Sequence, residues 1–191
     1  MKVTAFNGSP RRGGNTEILL RRLMDDLSTA GMDCEFVQLG GQLVHGCTAC
    51  MKCRENQNKK CVFTDDPMNS WIEKMIDSDI ILIGSPTYFA SLTSETKALI
   101  DRAGYVCRGN GNALKRKIGA AVVSVRRAGA LNVFQGINNF FLINEMIVPG
   151  SSYWNLAVGK APGDVTKDEE GMATMDVLAK QIIWLADKIS A

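Results

Sequence analysis

Four thiols stand within fifteen residues, spaced Cys47-x2-Cys50-x2-Cys53-x7-Cys61. Thiols this close, in a chain with no export signal, read as metal ligands before they read as disulfides. Thiolates at two-residue intervals on a tightly turning loop can each reach a different metal atom of one polynuclear cluster. A single structural zinc usually takes two Cys-x2-Cys knuckles across a longer gap, since one tetrahedral ion must be approached from two sides. Only one three-cysteine run and one more distant partner are present, so the spacing favours a cluster, with zinc and a metal-free loop as the alternatives. Gly46 permits close backbone approach, and Lys52, Arg54, Lys59 and Lys60 either offset a negative cluster or simply face water.

A second set of chemically useful residues lies in Asn7-Gly8-Ser9-Pro10-Arg11-Arg12-Gly13-Gly14-Asn15-Thr16. Glycines, hydroxyls and arginines ahead of a helix suit a phosphate monoester at the helix's positive end. The segment lacks the GxxxxGK[ST] of a nucleotide-hydrolysing loop and the GxGxxG of a dinucleotide fingerprint. Gly109-Asn110-Gly111 follows a helix rather than a strand and reads as a surface turn. A third set, Gly84-Ser85-Pro86-Thr87-Tyr88-Phe89-Ala90-Ser91, joins a rigid backbone to a hydroxyl and two aromatic faces. It suits a planar heterocycle, or else a hydrophobic turn on the core.

The elements that must position these groups alternate between strand-like and helical patterns, which predicts an α/β protein with a doubly wound parallel sheet covered on both faces. Strands are expected at Lys2–Phe6, Cys34–Leu39, Asp79–Gly84, Lys117–Val125 and Met146–Pro149. Asn15 is expected to cap a first helix that ends near Gly31. Further helices are expected from Asp66-Pro67 to Ile76, from Thr93 to Gly104 and over Leu131–Asn144. A last one carries Leu178, Ile182, Leu185 and Ile189 on one face. Periodicity vanishes between about residues 40 and 66, and a loop of that length inside a compact domain is usually functional. It holds all four clustered cysteines. Cys34 and Cys107 read as ordinary thiols, Trp71 and Trp184 as core, and His45, the only histidine, as a packed or solvent-facing side chain. Tyr153 and Trp154 fit either a ligand border or the rim of the core.

The whole chain, residues 1–191, is expected to form one domain. Its formal charge of +2 and ordinary composition, 46% hydrophobic and 22% charged, give no reason to expect nucleic acid or a membrane surface as partner. The longest branched apolar run, Ile80 to Ile83, falls far short of the roughly 20 residues that span a bilayer. Met1-Lys2-Val3-Thr4 runs straight into a strand without a signal-peptide pattern, and a cytoplasmic location is expected.

Asn7–Thr16 and Ser85–Ala90, in these places, resemble the flavodoxin-like proteins of the NADPH-dependent FMN reductase group. The cysteine run resembles the iron–sulfur flavoproteins of anaerobic archaea and bacteria. The likeness extends over Ser124–Ala130 and Pro149–Trp154. It implies a five-stranded sheet in the order 2-1-3-4-5, with FMN at its carboxyl edge and the cysteine loop after strand 2. By that resemblance Ser9, Arg11, Asn15 and Thr16 hold the phosphate, and Pro86, Thr87, Tyr88 and Phe89 the isoalloxazine ring. Ser124, Arg126 and Gly129 belong to a third ligand loop, where the paired Arg126-Arg127 depart from the glycine-rich pattern of plainer flavin reductases. Cys47, Cys50, Cys53 and Cys61 would hold one [4Fe–4S] cluster. The ferredoxin run differs, placing its fourth cysteine after three residues, before a proline. The resemblance further implies electron transfer between a ferredoxin-like carrier and two-electron chemistry. It also implies a homodimer or homotetramer in which one subunit's cluster lies near another's FMN. Two other readings remain open. One is an FMN-dependent NAD(P)H oxidoreductase acting on quinones or flavins, with a structural or zinc-bound cysteine loop. The other is a non-catalytic, zinc-stapled binding module. No nucleophile or acid–base arrangement is evident: the position six beyond Cys47, where a C-x5-R phosphatase loop needs arginine, is Cys53.

Overall fold

The computed structural model describes residues 1–190. Five parallel strands form one sheet in the order β2-β1-β3-β4-β5. They are β1 (Lys2–Asn7), β2 (Asp33–Gln38), β3 (Ile80–Pro86), β4 (Ile118–Val125) and β5 (Leu156–Val158). The helices are α1 (Asn15–Thr29), α2 (Lys52–Asn56), α3 (Met68–Asp77), α4 (Ser94–Gly109), α5 (Ala130–Ile143) and α6 (Glu169–Ser190), with a 3₁₀ turn at Asp164–Lys167.

The alternation of side chains along the strands divides the core into two layers. Ile80 and Leu82 of β3 join Val3, Ala5, Ala120 and Val122 beneath α1 and α6. Ile81 and Ile83 point the other way, with Phe6, Ala121 and Val123, against α3, α4 and α5. A strand buried on both faces has no polar alternation to show, which is why Ile80–Ile83 reads as a continuous apolar run.

Several local expectations are corrected. The fifth strand is Leu156–Val158. In the expected segment only Ile147 pairs, in a single bridge to Ile118. Gly14, not Asn15, precedes the first turn of α1, and no side chain caps it. Helix α4 runs five residues past Gly104, to Gly109. The segment expected to lack structure contains α2, a single short helix. Trp71 is core, but Trp184 is 58% exposed on α6. Asn110, expected in a surface turn, is buried.

Candidate functional site: a carboxyl-edge cavity and a cysteine pocket joined by one helix

The carboxyl ends of β1, β3 and β4 open onto a cavity of about 390 Å³, lined by Ser9, Arg11, Asn15, Thr16, Pro86, Thr87, Tyr88, Ser124 and Arg126. That volume lies in the range of small-molecule and cofactor sites, and its place, where strand order reverses, is where open α/β sheets bind ligands. The loop after β1 is shaped by short-range bonds. Ser9 N–H donates to Asn7 Oδ1 at 3.1 Å, and Arg11 N–H donates to Ser9 Oγ at 3.2 Å. Gly40 lets the turn after β2 press against this loop: a Cβ there would lie 2.2 Å from the Ser9 carbonyl carbon. The buried hydroxyls of Thr16 and Ser124 meet at 2.8 Å across the floor. With no side-chain cap on α1, its first-turn amides keep an open demand for an acceptor, which a phosphate meets.

Asn15 lines the cavity and also makes bonds of its own. Its Nδ2 donates to Ala161 O at 3.0 Å and its Oδ1 accepts from Gly163 N–H at 2.8 Å. Both amide groups thus tie down the loop after β5. That loop supplies Gly159, Lys160 and Pro162 to the cavity wall, residues that the sequence reading missed because it placed the fifth strand too early. Phe89 and Gly129 are not among the lining residues. The Phe89 ring stands fully in solvent on a left-handed backbone, and Gly129, at φ +87°, passes beside Thr87 and Ala90. Tyr153 and Trp154 pack on each other at 4.6 Å between ring centroids, both half-exposed and off the cavity wall.

All four clustered cysteines line a second pocket, closed by Val62, Phe63, Arg102, Tyr105 and Val106. The backbone around it bends sharply: Ala49, Met51, Gln57 and Lys59 all adopt positive φ, a conformation that costs a non-glycine residue about 1–2 kcal/mol. Met51 and Gln57 bracket α2, which settles on α4. A Cβ on Gly109 would lie 2.6 Å from Arg54 Cγ, so the two helices meet at backbone distance. Cys61 is held on both sides by Asn69, which accepts from its N–H at 2.8 Å and donates to its carbonyl at 2.9 Å. Asn110 donates to Cys53 O and Val106 O and accepts from Lys59 N–H.

Four thiols lining one pocket supply the donor set of a polynuclear cluster, with one thiolate to each iron. Burial pushes the Cys53 thiol up, and the neighbouring Cys61 and Cys47 add to the effect. Four converging sulfurs of this kind call for positive charge.

One buried cation is close by. Arg102 is 1% exposed, pairs with Asp66 and places Nη2 3.4 Å from Cys61 Sγ. Burial works against its charged form, but the bonds to Asp66 and Cys61 outweigh that and raise its pKa. Burial likewise works to raise the Asp66 carboxyl, and the bonds from Arg102 and the Met68 amide hold it below the usual carboxylate range. A signal for Arg102 was available: Leu99, Ala103 and Val106 mark the buried stripe of α4, and Arg102 stands within it. His45 is half-exposed, packed edge-on against Phe63 at 4.7 Å, as expected of a packing or solvent-facing residue.

Helix α4 borders the cysteine pocket, to which it brings Arg102 and Tyr105. Ahead of its first turn, Thr93 Oγ1 donates to Gly8 O in the phosphate-type loop, and just past its end Asn110 bonds Cys53 O.

Sheet order and helix placement together define a flavodoxin-like protein, with a cavity at the sheet's carboxyl edge, where such sheets take their ligands. Residues 1–161 match the family model described as NADPH-dependent FMN reductase. Over 189 residues the chain is 36% identical to an iron–sulfur flavoprotein of Methanocaldococcus jannaschii, covering 95% of each. Over 184 residues it is 33% identical to an iron–sulfur flavoprotein of Methanosarcina thermophila, covering 95% of this chain and 93% of that one. Among solved structures, the Trp repressor binding protein of Bacillus subtilis shares the fold with a TM-score of 0.66 at 19% identity, covering 92% of this chain and 96% of that one. The chain belongs to the NADPH-dependent FMN reductase family and, within it, to the iron–sulfur flavoproteins. It is an FMN-dependent oxidoreductase.

Proposed function

We propose that this chain is an electron-transfer flavoprotein with FMN in the carboxyl-edge cavity and a [4Fe–4S] cluster on Cys47, Cys50, Cys53 and Cys61, coupling a ferredoxin-like carrier to two-electron chemistry. The observation that carries this reading is the single pocket lined by all four clustered cysteines, with buried Arg102 in its wall. When bound, the two groups supply complementary chemistry: FMN exchanges one or two electrons, the cluster one at a time.

The protein's own residues bind and orient. Ser9, Thr16 and the first amides of α1 receive the phosphate, with Arg11 supplying charge and Asn15 acting through the loop that it ties down. Pro86, Thr87 and Tyr88 border the ring, and Ser124, Arg126 and Lys160 close the remaining wall. Phe89 and Gly129 shape the rim. Exposed Phe89, Leu142 and Ile143 suit assembly into a homodimer or homotetramer. All six cysteines are free, which suits the reducing cytoplasm. No described helix is long and apolar enough to cross a membrane.

Anaerobic purification followed by flavin, iron, sulfide and zinc analysis tests this. One FMN and a four-iron complement per chain are expected, with reduction by ferredoxin. FMN with stoichiometric zinc and no iron would overturn the cluster assignment. Fast reduction by NAD(P)H alone, with none by ferredoxin, would overturn the coupling to a one-electron carrier.

A further inference from the structure

Arg102 is an expensive residue to keep where it is. A guanidinium in the buried stripe of a helix loses its hydration, and a buried charge persists only with partners that replace it. Its bonds all run to the cysteine segment and its flank: Nη1 to Asp66 and to His45 O at 3.3 Å, Nη2 to Cys61 Sγ and to Phe63 O, both at 3.4 Å. Nε–H is buried with no partner at all, although Arg102 lines the cysteine pocket. Asp66 balances its single charge, yet the guanidinium still turns the positive side of the pair, and a charge-assisted donor, toward Cys61. The lysines and Arg54 of the same loop are exposed, where water screens them.

We propose that Arg102 is the fixed charge-assisted donor of the metal centre: its guanidinium donates to the Cys61 thiolate, tilts the cluster's equilibrium toward the reduced form, and anchors Cys61 to α4. This rests on the reading of the four cysteines as cluster ligands. The physical basis is that cluster potentials follow net charge, burial and hydrogen bonds to sulfur. Reduction adds one negative charge to a group already rich in thiolates. The N–H···S bond, and the positive end of the Arg102–Asp66 pair that faces the sulfur, both stabilise that added charge, and no proton need move.

The experiment is a redox titration of anaerobically purified holoprotein, wild type beside Arg102→Gln and Arg102→Lys, following the cluster by electron paramagnetic resonance and the flavin by absorbance. Arg102→Gln is expected to reduce the cluster's reduction equilibrium constant about tenfold, a fall of about 59 mV for a one-electron couple. Arg102→Lys, which keeps the charge, is expected to recover much of that shift, and the flavin is expected to titrate as in wild type. An unchanged cluster potential in fully loaded Arg102→Gln would overturn the proposal. If Arg102→Gln fails to hold iron, retention by Arg102→Lys supports the charged-donor role. Loss of iron from Arg102→Lys, in chains that still bind FMN, would reduce Arg102 to a packing residue. A wild-type protein without iron and sulfide would instead overturn the cluster reading itself.

Discussion

Asn110, just past the end of α4, donates from Nδ2 to the carbonyl oxygen of Cys53 at 3.0 Å, so a helix end grips the cysteine run at its third cysteine. The same side chain accepts from the Lys59 amide at 2.8 Å. Counting the Val106 carbonyl, Asn110→Ala removes the partner of three backbone groups, and each that stays unsatisfied costs about 1–3 kcal/mol. The variant is expected to keep its FMN and to surrender iron to a chelator at least tenfold faster than wild type, read from the absorbance of the iron–chelator complex under argon.

Ser9 and Thr16 bring hydroxyls to the cavity where the phosphate is proposed to sit. A hydrogen bond to a charged group contributes about 1.5–3 kcal/mol. Ser9→Ala and Thr16→Val are therefore each expected to weaken FMN binding tenfold or more. Quenching of flavin fluorescence measures this. Riboflavin, which lacks the phosphate, is the control, and its weaker affinity is expected to be the same in both variants and the wild type.

Gly40 has no room for a side chain, since its Cβ would stand 2.2 Å from Ser9 backbone carbon. Gly40→Ala is expected to cost about 1–3 kcal/mol or more by overpacking and to loosen FMN binding as the Ser9 loop is displaced. Urea unfolding of FMN-free protein gives the first quantity, and flavin titration gives the second. Full affinity in the variant would show that the loop after β1 relaxes without consequence for the ligand.

Cys107 is fully buried on α4, and burial pushes its thiol up to about 12. The reactive species is the thiolate, so at pH 8 only about one thiol in ten thousand is poised to react. Raising the pH to 9 increases that fraction tenfold and still leaves it negligible. Iodoacetamide is expected to leave Cys107 unmodified in folded holoprotein at both values and to label it once denaturant is added. Peptide mass spectrometry distinguishes it from the half-buried Cys34, which is expected to react earlier.

What could be read in the sequence was whatever repeats or clusters locally. The apolar run of β3, the stripe on α1 and the cysteine spacing each state their role within a dozen residues, and the strand order followed from the resemblance that those segments carry. β5 was misread because three residues of pairing carry almost no pattern, while the nearby Met146–Pro149 is as apolar and makes only one bridge. That error hid Gly159, Lys160 and Pro162. Helix α2 is too short to show periodicity and exists through its seat on α4. Asn69, Arg102 and Asn110 act across 8, 41 and 57 residues of chain, a reach that sequence spacing does not reveal.

The left-handed turns at Ala49, Met51, Gln57 and Lys59 have a consequence for the life of the molecule in a cell. A segment bent against its own preferences keeps its shape only while something holds it, and the proposed metal centre would add to the grip of Asn69, Arg102 and Asn110. A copy never loaded, or stripped by oxygen, would be left with the weaker catch alone. Such segments open locally while the rest of the domain stays folded, and an opened surface loop is where proteases cut. Empty copies would then be cleared by ordinary turnover, with no dedicated inspector.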